Sequence, residues 1–115
     1  MIIFVYGTLK QNHANHYFLN NSSFLGQAKT YSNKYTLHNL GFYPALIPEG
    51  TTTVQGEAYE INELTLQKIH KLEGHPTFYK ANNIYILLNN KKTKATTYFF
   101  QHAANNPIPS GNWPK

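Results

Sequence analysis

The chain starts with an apolar run that stops at a glycine, and it then reads Phe4-Val5-Tyr6-Gly7-Thr8-Leu9-Lys10. Residues 1–6 predict a buried strand, and Gly7-Thr8 predicts a tight turn whose backbone N–H groups can face a ligand. A second segment, Leu72-Glu73-Gly74, puts a carboxylate at the end of a predicted helix, where the helix dipole disfavours it. Oriented amides and such an acid are components of acyl-transfer chemistry.

Length and composition limit the class of protein. The 115 residues are enough for one compact core, so we expect a single domain over 1–115. No apolar stretch is long enough to cross a membrane. Residues 2–5 lack the charged region and the cleavage site of a secretory signal, so a cytoplasmic protein is expected. The absence of Cys excludes disulfides and thiol catalysis.

The net charge of +5 raises the question of a nucleic-acid partner. The lysines are spread along the chain, with a cluster only at Lys91, Lys92 and Lys94, and the sequence has no Arg for bidentate contacts. We therefore expect no nucleic-acid partner, and we keep a basic nucleic-acid-binding barrel as an alternative hypothesis. Asp is also absent, which excludes a Ser-His-Asp triad.

The order of predicted elements is a strand, a helix, several strands, a helix and a hairpin. This order predicts an α+β domain, with an antiparallel-rich sheet curled into a small β-barrel that is flanked by two or more helices. A segment rich in Pro, Asn and Gly, residues 105–115, is expected to form a surface tail pinned by Trp113. The expected elements are a helix over 12–19, strands over 23–30, 33–40, 53–61, 78–88 and 94–100, an edge strand or loop over 41–46, and a turn over 49–51.

The clearest helix is predicted over 62–73. Asn62 is a good N-cap, and Gly74 fits the position that ends the helix. Its apolar face is expected to comprise Leu64, Ile69 and Leu72, with Leu66 near the border.

Glu73 is the leading catalytic candidate. A helix C-terminus repels a carboxylate, and apolar neighbours disfavour its charged form, so both effects raise a carboxyl pKa toward neutrality. Such a group suits a general base or acid. The alternative is a solvated surface Glu, and position alone leaves both open.

Other candidates are weaker. Gly7 and Thr8 either bind a carboxylate or an oxyanion or form an ordinary turn. Tyr79 either hydrogen-bonds a substrate or packs in the core. His13 and His16 have the spacing of two metal ligands on one helix face, but no third ligand is evident, so no metal is expected.

Several segments together resemble the γ-glutamyl cyclotransferase-like superfamily, closest to the γ-glutamylamine cyclotransferase branch and its small bacterial relatives. The resemblance runs from residue 3 to about residue 100, with a further likeness in Ser110-Gly111-Asn112-Trp113. It rests on Tyr6-Gly7-Thr8-Leu9-Lys10, Tyr43-Pro44-Ala45-Leu46, Val54-x-Gly56-Glu57-Ala58-Tyr59, and Leu72-Glu73-Gly74 with Pro76 and Tyr79.

The resemblance implies a small barrel and an enzyme that releases 5-oxoproline and a free amine from a γ-glutamylamine or a γ-glutamyl-amino acid. It implies that Glu73 is the catalytic acid–base group, without metal or cofactor. It also implies a substrate-binding role for Tyr79 and for the loop formed by Tyr6, Gly7, Thr8 and Leu9. We expect a small-molecule substrate, no membrane partner, and a monomer or weak dimer.

One position departs from the family pattern. Ala81 stands where the family often has an Arg, two residues after the Tyr, and this change either removes a structural contact or alters the pocket. The alternative function is a non-catalytic module that binds a small metabolite in the same pocket.

Overall fold

The computed structural model describes residues 1–114, and Lys115 lies outside the described residues. Seven strands, one α-helix and one 3-10 helix are assigned within this range. Their bounds are β1 (Ile2–Val5), the 3-10 helix (His16–Leu19), β2 (Ser23–Thr30), β3 (Tyr35–Asn39), β4 (Pro44–Thr52), β5 (Gln55–Glu60), α1 (Glu63–Glu73), β6 (Tyr79–Leu88) and β7 (Lys91–Phe100).

Five strands close into a barrel in the order β1-β5-β2-β6-β7, and β3 and β4 form a separate two-stranded sheet. Neighbouring barrel strands are antiparallel except where β1 meets β7 in parallel, with Ile3 opposite Thr96. The predicted α+β fold with a small antiparallel-rich barrel is confirmed. No helix in residues 1–114 is long and apolar enough to cross a bilayer.

Helix α1 forms as its capping residues predict. The Asn62 side chain accepts a hydrogen bond from the Thr65 N–H at 2.8 Å, and Gly74 ends the helix at φ 66°. Its buried face differs from the prediction, since Leu66 and Ile69 are buried and Leu64 is exposed. The cap and the stop therefore place Glu73 as the last residue of α1.

Two local predictions are wrong. The predicted helix over 12–19 is reduced to the 3-10 helix, and Asn12 has a φ of 68°, as expected for Asn-rich segments that favour turns over helices. The turn predicted over 49–51 lies inside β4, where Gly50 adopts a φ of 134°. Residues 48–51 form a bulge in the ladder between the pairs Thr36–Ile47 and Tyr35–Thr52, and the Thr36 hydroxyl donates to the Glu49 carbonyl oxygen at 2.7 Å across this bulge.

The predicted surface tail is partly buried over residues 105–114. Ile108 and Trp113 belong to the core, and the Ile108 N–H donates to the Leu37 carbonyl oxygen at 2.7 Å. The Lys10 ammonium donates to the Trp113 carbonyl oxygen. The segment therefore packs against the β3–β4 sheet and against the turn that follows β1.

Candidate active site

One cavity of about 370 Å³ brings together every residue predicted for the site. Its walls come from the end of β1 and the turn after it, the start of β4, the end of α1 and the start of β6. The predicted residues that line it are Tyr6, Gly7, Thr8, Leu9, Glu73 and Tyr79. The cavity size is in the range of small-molecule sites.

The turn after β1 is held by hydrogen bonds to its carbonyl groups. The Gly7 carbonyl oxygen accepts from the Lys10 N–H at 3.0 Å, and the Thr8 carbonyl oxygen accepts from the Asn15 N–H at 2.9 Å. The Leu9 carbonyl oxygen accepts from His16 Nδ1 at 2.9 Å, so this ring nitrogen carries the proton. The Asn15 side chain also donates to Thr8 Oγ1 at 2.9 Å.

The backbone N–H groups of Gly7, Thr8 and Leu9 in the same turn differ from its carbonyl groups in their hydrogen bonding. Within residues 1–114, no backbone or side-chain acceptor receives the N–H of Gly7, Thr8 or Leu9. Successive free amides on a turn that lines a cavity form a site for an anion or an oxyanion. The carbonyl groups of the turn are therefore hydrogen-bonded within the protein, and the N–H groups of Gly7, Thr8 and Leu9 are available to a ligand.

Gly7 is required by a close approach to β4. A Cβ at Gly7 would lie 2.6 Å from Pro44 Cγ and 2.7 Å from Cδ, which is closer than real side chains pack. Pro44 is itself held, because its carbonyl oxygen accepts the Tyr79 hydroxyl at 2.7 Å. The turn, β4 and β6 are therefore positioned against one another at the cavity wall.

Glu73 lines the cavity from the end of α1 and is half-buried. Burial raises the pKa of Glu73 from its ordinary value of 4.5 to about 7. No donor within residues 1–114 hydrogen-bonds its carboxylate. A carboxylate that titrates near neutrality, with its oxygens free, is suited to accept and return a proton.

Three buried tyrosines line the cavity with Glu73: Tyr6, Tyr79 and Tyr98. Burial raises the pKa of each phenol, and the charge of Glu73 raises each of them further. They remain protonated donors at neutral pH. The Tyr6 hydroxyl donates to the Tyr98 carbonyl oxygen at 2.6 Å, which fixes β1 to β7.

Tyr98 is a cavity residue that sequence reasoning missed. It lies directly opposite Ala81 in the β6–β7 ladder. The signal that locates it is the two-residue turn at Asn89 and Asn90, because both residues have positive φ and this turn fixes the register of the hairpin. The cavity also includes aromatic residues that the sequence did not assign to the site: Phe4, Phe42, Tyr43 and Phe78.

Two histidines, His70 and His75, lie next to Tyr98 and do not line the cavity. His70 Nδ1 lies 2.6 Å from the Tyr98 hydroxyl oxygen, and the rings of His70 and His75 stack with centroids 4.3 Å apart. His75 Nδ1 accepts the Ala81 N–H at 3.0 Å. Burial and the neighbouring His75 lower the pKa of His70. Ala81 does not line the cavity, so its small side chain does not shape the cavity wall.

His13 and His16 have separate contacts. The His13 ring lies 5.4 Å from the Trp113 ring by centroid, and the His16 ring lies 5.8 Å from that of Tyr59. Within the part of the chain that the structure describes, no group of three His, Cys, Asp or Glu side chains is placed to hold a metal ion.

Comparison with known proteins matches a family model over residues 3–115, and that family is described as gamma-glutamyl cyclotransferase, AIG2-like. A protein of Methanocaldococcus jannaschii, provisionally named a gamma-glutamylcyclotransferase, is 35% identical over 96% of this chain and 93% of its own. A protein of Vibrio cholerae with the same provisional name is 38% identical over 97% and 94%.

Solved structures share the fold. The crystal structure of an AIG2-like protein from Mus musculus superposes with a TM-score of 0.81 and 26% identity, over 89% of this chain and 78% of that one. The solution structure of the YtfP protein from Escherichia coli gives a TM-score of 0.73 and 33% identity, over 98% and 96%.

Proposed function

The chain belongs to the gamma-glutamyl cyclotransferase, AIG2-like family, and on that basis we propose that it releases 5-oxoproline and a free amine from a γ-glutamylamine or a γ-glutamyl-amino acid. One observation carries the proposal: the half-buried Glu73 carboxylate and the free N–H groups of Gly7, Thr8 and Leu9 line the same cavity. An acid–base group and an anion site in one cavity are what this cyclisation requires.

The reaction is an intramolecular acyl transfer. The α-amino nitrogen of the substrate attacks its own γ-carbonyl carbon, the new C–N bond closes a five-membered ring, and the original amide C–N bond breaks. Glu73 takes a proton from the α-ammonium group, which makes the nitrogen nucleophilic, and returns this proton to the leaving nitrogen. The ring nitrogen loses its second proton after the attack, and this proton also passes to the departing amine, which leaves as an ammonium ion. A pKa of about 7 suits both directions of transfer at neutral pH.

The turn after β1 acts on the negative charges of the substrate. Its free N–H groups bind the carboxylate of the glutamyl part or the oxyanion of the tetrahedral intermediate. Because both reacting groups belong to one molecule, holding a single bent conformer removes much of the entropic barrier. The close Gly7–Pro44 packing keeps the turn in one position for this purpose.

Tyr79 has a positioning role at the cavity wall. Its hydroxyl proton is engaged by the Pro44 carbonyl oxygen, so its oxygen is left to accept from the α-ammonium group. Tyr6 supports the turn from beneath through its bond to the Tyr98 backbone.

The test is 5-oxoproline release from a panel of donors: γ-glutamyl-alanine, γ-glutamyl-ε-lysine and γ-glutamyl-butylamide. We expect release from at least one donor by the wild-type protein. Thermal stabilisation by 5-oxoproline without turnover of any donor would instead support the alternative of a metabolite-binding module.

A further inference from the structure

A second cavity, of about 600 Å³, shares no lining residue with the cavity that Glu73 lines. It lies over β2, β5 and β6, and the turn between β6 and β7 and the C-terminal segment also contribute to its walls. Lys10 and Glu57 both line it, although only 8% and 6% of these two residues are exposed. The proposed reaction makes no use of this cavity.

The Lys10 ammonium has only uncharged hydrogen-bond partners within residues 1–114. It donates to the Trp113 carbonyl oxygen and to Asn112 Oδ1, the latter at 3.4 Å. An ammonium group has three donors, so one of them has no acceptor in this part of the chain. Burial lowers the pKa of Lys10 and the charge of Glu57 opposes this effect, so the two charges are near enough to interact.

The Glu57 carboxylate uses one of its two oxygens. Oε1 accepts from the Gln11 N–H at 2.9 Å and from the Tyr59 hydroxyl at 2.9 Å, and no donor among residues 1–114 bonds Oε2. Every fully enclosed side-chain nitrogen or oxygen of these residues has a hydrogen-bond partner. Oε2 is therefore not enclosed, and it is open to the cavity that Glu57 lines.

These two buried charges are not paired with each other. Within residues 1–114, the one ion pair joins the Met1 ammonium to Glu60. Lys and Glu are almost never fully buried without a partner, because an unpaired buried charge loses its hydration. A simple anion in the cavity would pair with Lys10 but would be repelled by Glu57, and a simple cation would have the opposite difficulty. A molecule that carries both a carboxylate and an ammonium group can pair with both.

The rest of the lining favours a small polar ligand. Five carboxamide side chains line the cavity: Gln27, Gln55, Asn89, Asn90 and Asn112. A carboxamide both donates and accepts hydrogen bonds, so these groups can bind a hydroxyl or an amide. None of the described lining residues is aromatic. Lys29 adds an exposed ammonium beside Gln55, its partner in the β2–β5 ladder, and this second positive charge favours a ligand with a carboxylate.

We propose that this second cavity binds a free α-amino acid with a small polar side chain. The α-carboxylate accepts from the Lys10 ammonium, the α-ammonium group donates to Glu57 Oε2, and the side chain meets the carboxamides. No covalent bond is made or broken. The inference does not rest on the proposed function, because the two cavities share no residue.

The test titrates the ¹⁵N-labelled protein with L-serine and follows the backbone and side-chain amide signals by NMR. We expect saturable shifts centred on Gln55, Asn89 and Asn90, with a Kd of about 1 mM or lower. Two matched compounds separate the charges of the ligand: 3-hydroxypropanoate lacks only the ammonium group, and ethanolamine lacks only the carboxylate. Each is expected to bind about tenfold or more weakly than L-serine, because each leaves one buried charge without its partner.

Variants of the cavity and a matched control complete the design. Glu57→Gln removes the charge and keeps an oxygen for the Gln11 and Tyr59 donors, and it should weaken L-serine binding about tenfold or more. Lys29→Met removes an exposed ammonium and should weaken binding about twofold or more. Lys68→Met, exposed on α1 and outside the cavity, should leave binding unchanged. Circular dichroism checks folding, and Lys29→Met with the two analogues decides the matter if Glu57→Gln does not fold.

Three results would overturn the inference. The absence of saturable shifts with L-serine up to about 50 mM would mean that the cavity does not bind an amino acid. Equal binding of L-serine and either analogue would mean that Lys10 and Glu57 do not recognise the two charges together. Shifts centred on Gly7 and Thr8 would place the ligand in the cavity of Glu73 instead. None of these results bears on 5-oxoproline release, so the proposed function stands or falls separately.

Discussion

The hydroxyl oxygen of Tyr98 lies 2.6 Å from Nδ1 of His70, and this contact ties β7 to α1 one helical turn before Glu73. The contact places a buried phenol of the barrel wall against the helix that carries the proposed acid–base group. The position of the helix end therefore depends on the barrel and not only on the residues of α1.

Tyr98→Phe removes this contact while keeping the ring. We expect the free energy of unfolding to fall by about 1 kcal/mol, the usual contribution of such a hydrogen bond, and kcat to fall because the end of α1 is less well fixed. Urea unfolding and steady-state kinetics measure both effects. Tyr85→Phe changes a tyrosine of β6 that is half exposed, and it should alter neither quantity. Unchanged stability and kcat in Tyr98→Phe would contradict the role given to the contact.

Gly7→Ala tests the close packing of the turn against β4. The new Cβ would lie 2.6 Å from Pro44 Cγ, so either the turn or the strand must move. We expect a loss of about 1–3 kcal/mol in the free energy of unfolding and a lower kcat/KM, because the free amides shift with the turn. The double variant with Pro44→Ala removes the clashing ring atoms and should recover part of both losses. No recovery would mean that Gly7 acts in another way.

Tyr79→Phe removes the hydrogen bond to the Pro44 carbonyl oxygen. Leaving that oxygen without its partner should reduce the free energy of unfolding by about 1–3 kcal/mol. Loss of the phenol oxygen should also raise KM for the best donor, since that oxygen accepts from the α-ammonium group in the proposed complex. A variant with wild-type KM would show that Tyr79 acts on the fold alone.

Glu73 also makes stability depend on pH. Below pH 4.5 its carboxyl is protonated in both the folded and the unfolded chain, so it adds no difference. Between pH 4.5 and about 7 the unfolded chain loses the proton while the folded protein retains it. The free energy of unfolding therefore falls as pH rises, by about 3 kcal/mol at most from this group.

The measurement is the thermal midpoint of the wild type and of Glu73→Gln between pH 4 and pH 8. We expect similar midpoints at pH 4 and a higher midpoint for Glu73→Gln at pH 8, because Gln carries no charge to desolvate. Parallel curves for the two proteins would mean that the carboxyl titrates at its ordinary pKa.

Local signals in the sequence predicted the end of α1 and the turn after β1, each of which depends on only a few residues. Asn62 and Gly74 set the ends of α1 and hence the place of Glu73, and the apolar run before Gly7 set the strand and its turn. These features depend on backbone capping and on side-chain burial within a few neighbouring residues. The placement of Glu73, the turn and Tyr79 around one cavity was implied by the family resemblance and not by these signals.

The remaining features depend on contacts between distant segments. Phe42 and Phe78 meet at one cavity because β4 and β6 approach each other, and no periodicity in the sequence encodes that approach. Trp113 is buried in the core beside residues of distant segments, and its carbonyl oxygen accepts from Lys10, more than a hundred positions earlier. The turn predicted over 49–51 failed because these residues form a bulge inside β4, between the pairs Thr36–Ile47 and Tyr35–Thr52, and do not end the strand.

The measurement that tests the account most directly is 5-oxoproline release by Glu73→Gln beside the wild type, with the best γ-glutamyl donor and with circular dichroism to confirm folding. Glu63→Gln, which changes an exposed carboxylate at the other end of α1, is the matched control. We predict that Glu73→Gln loses about a hundredfold or more in kcat while Glu63→Gln keeps wild-type activity. Wild-type turnover by a folded Glu73→Gln would contradict the account.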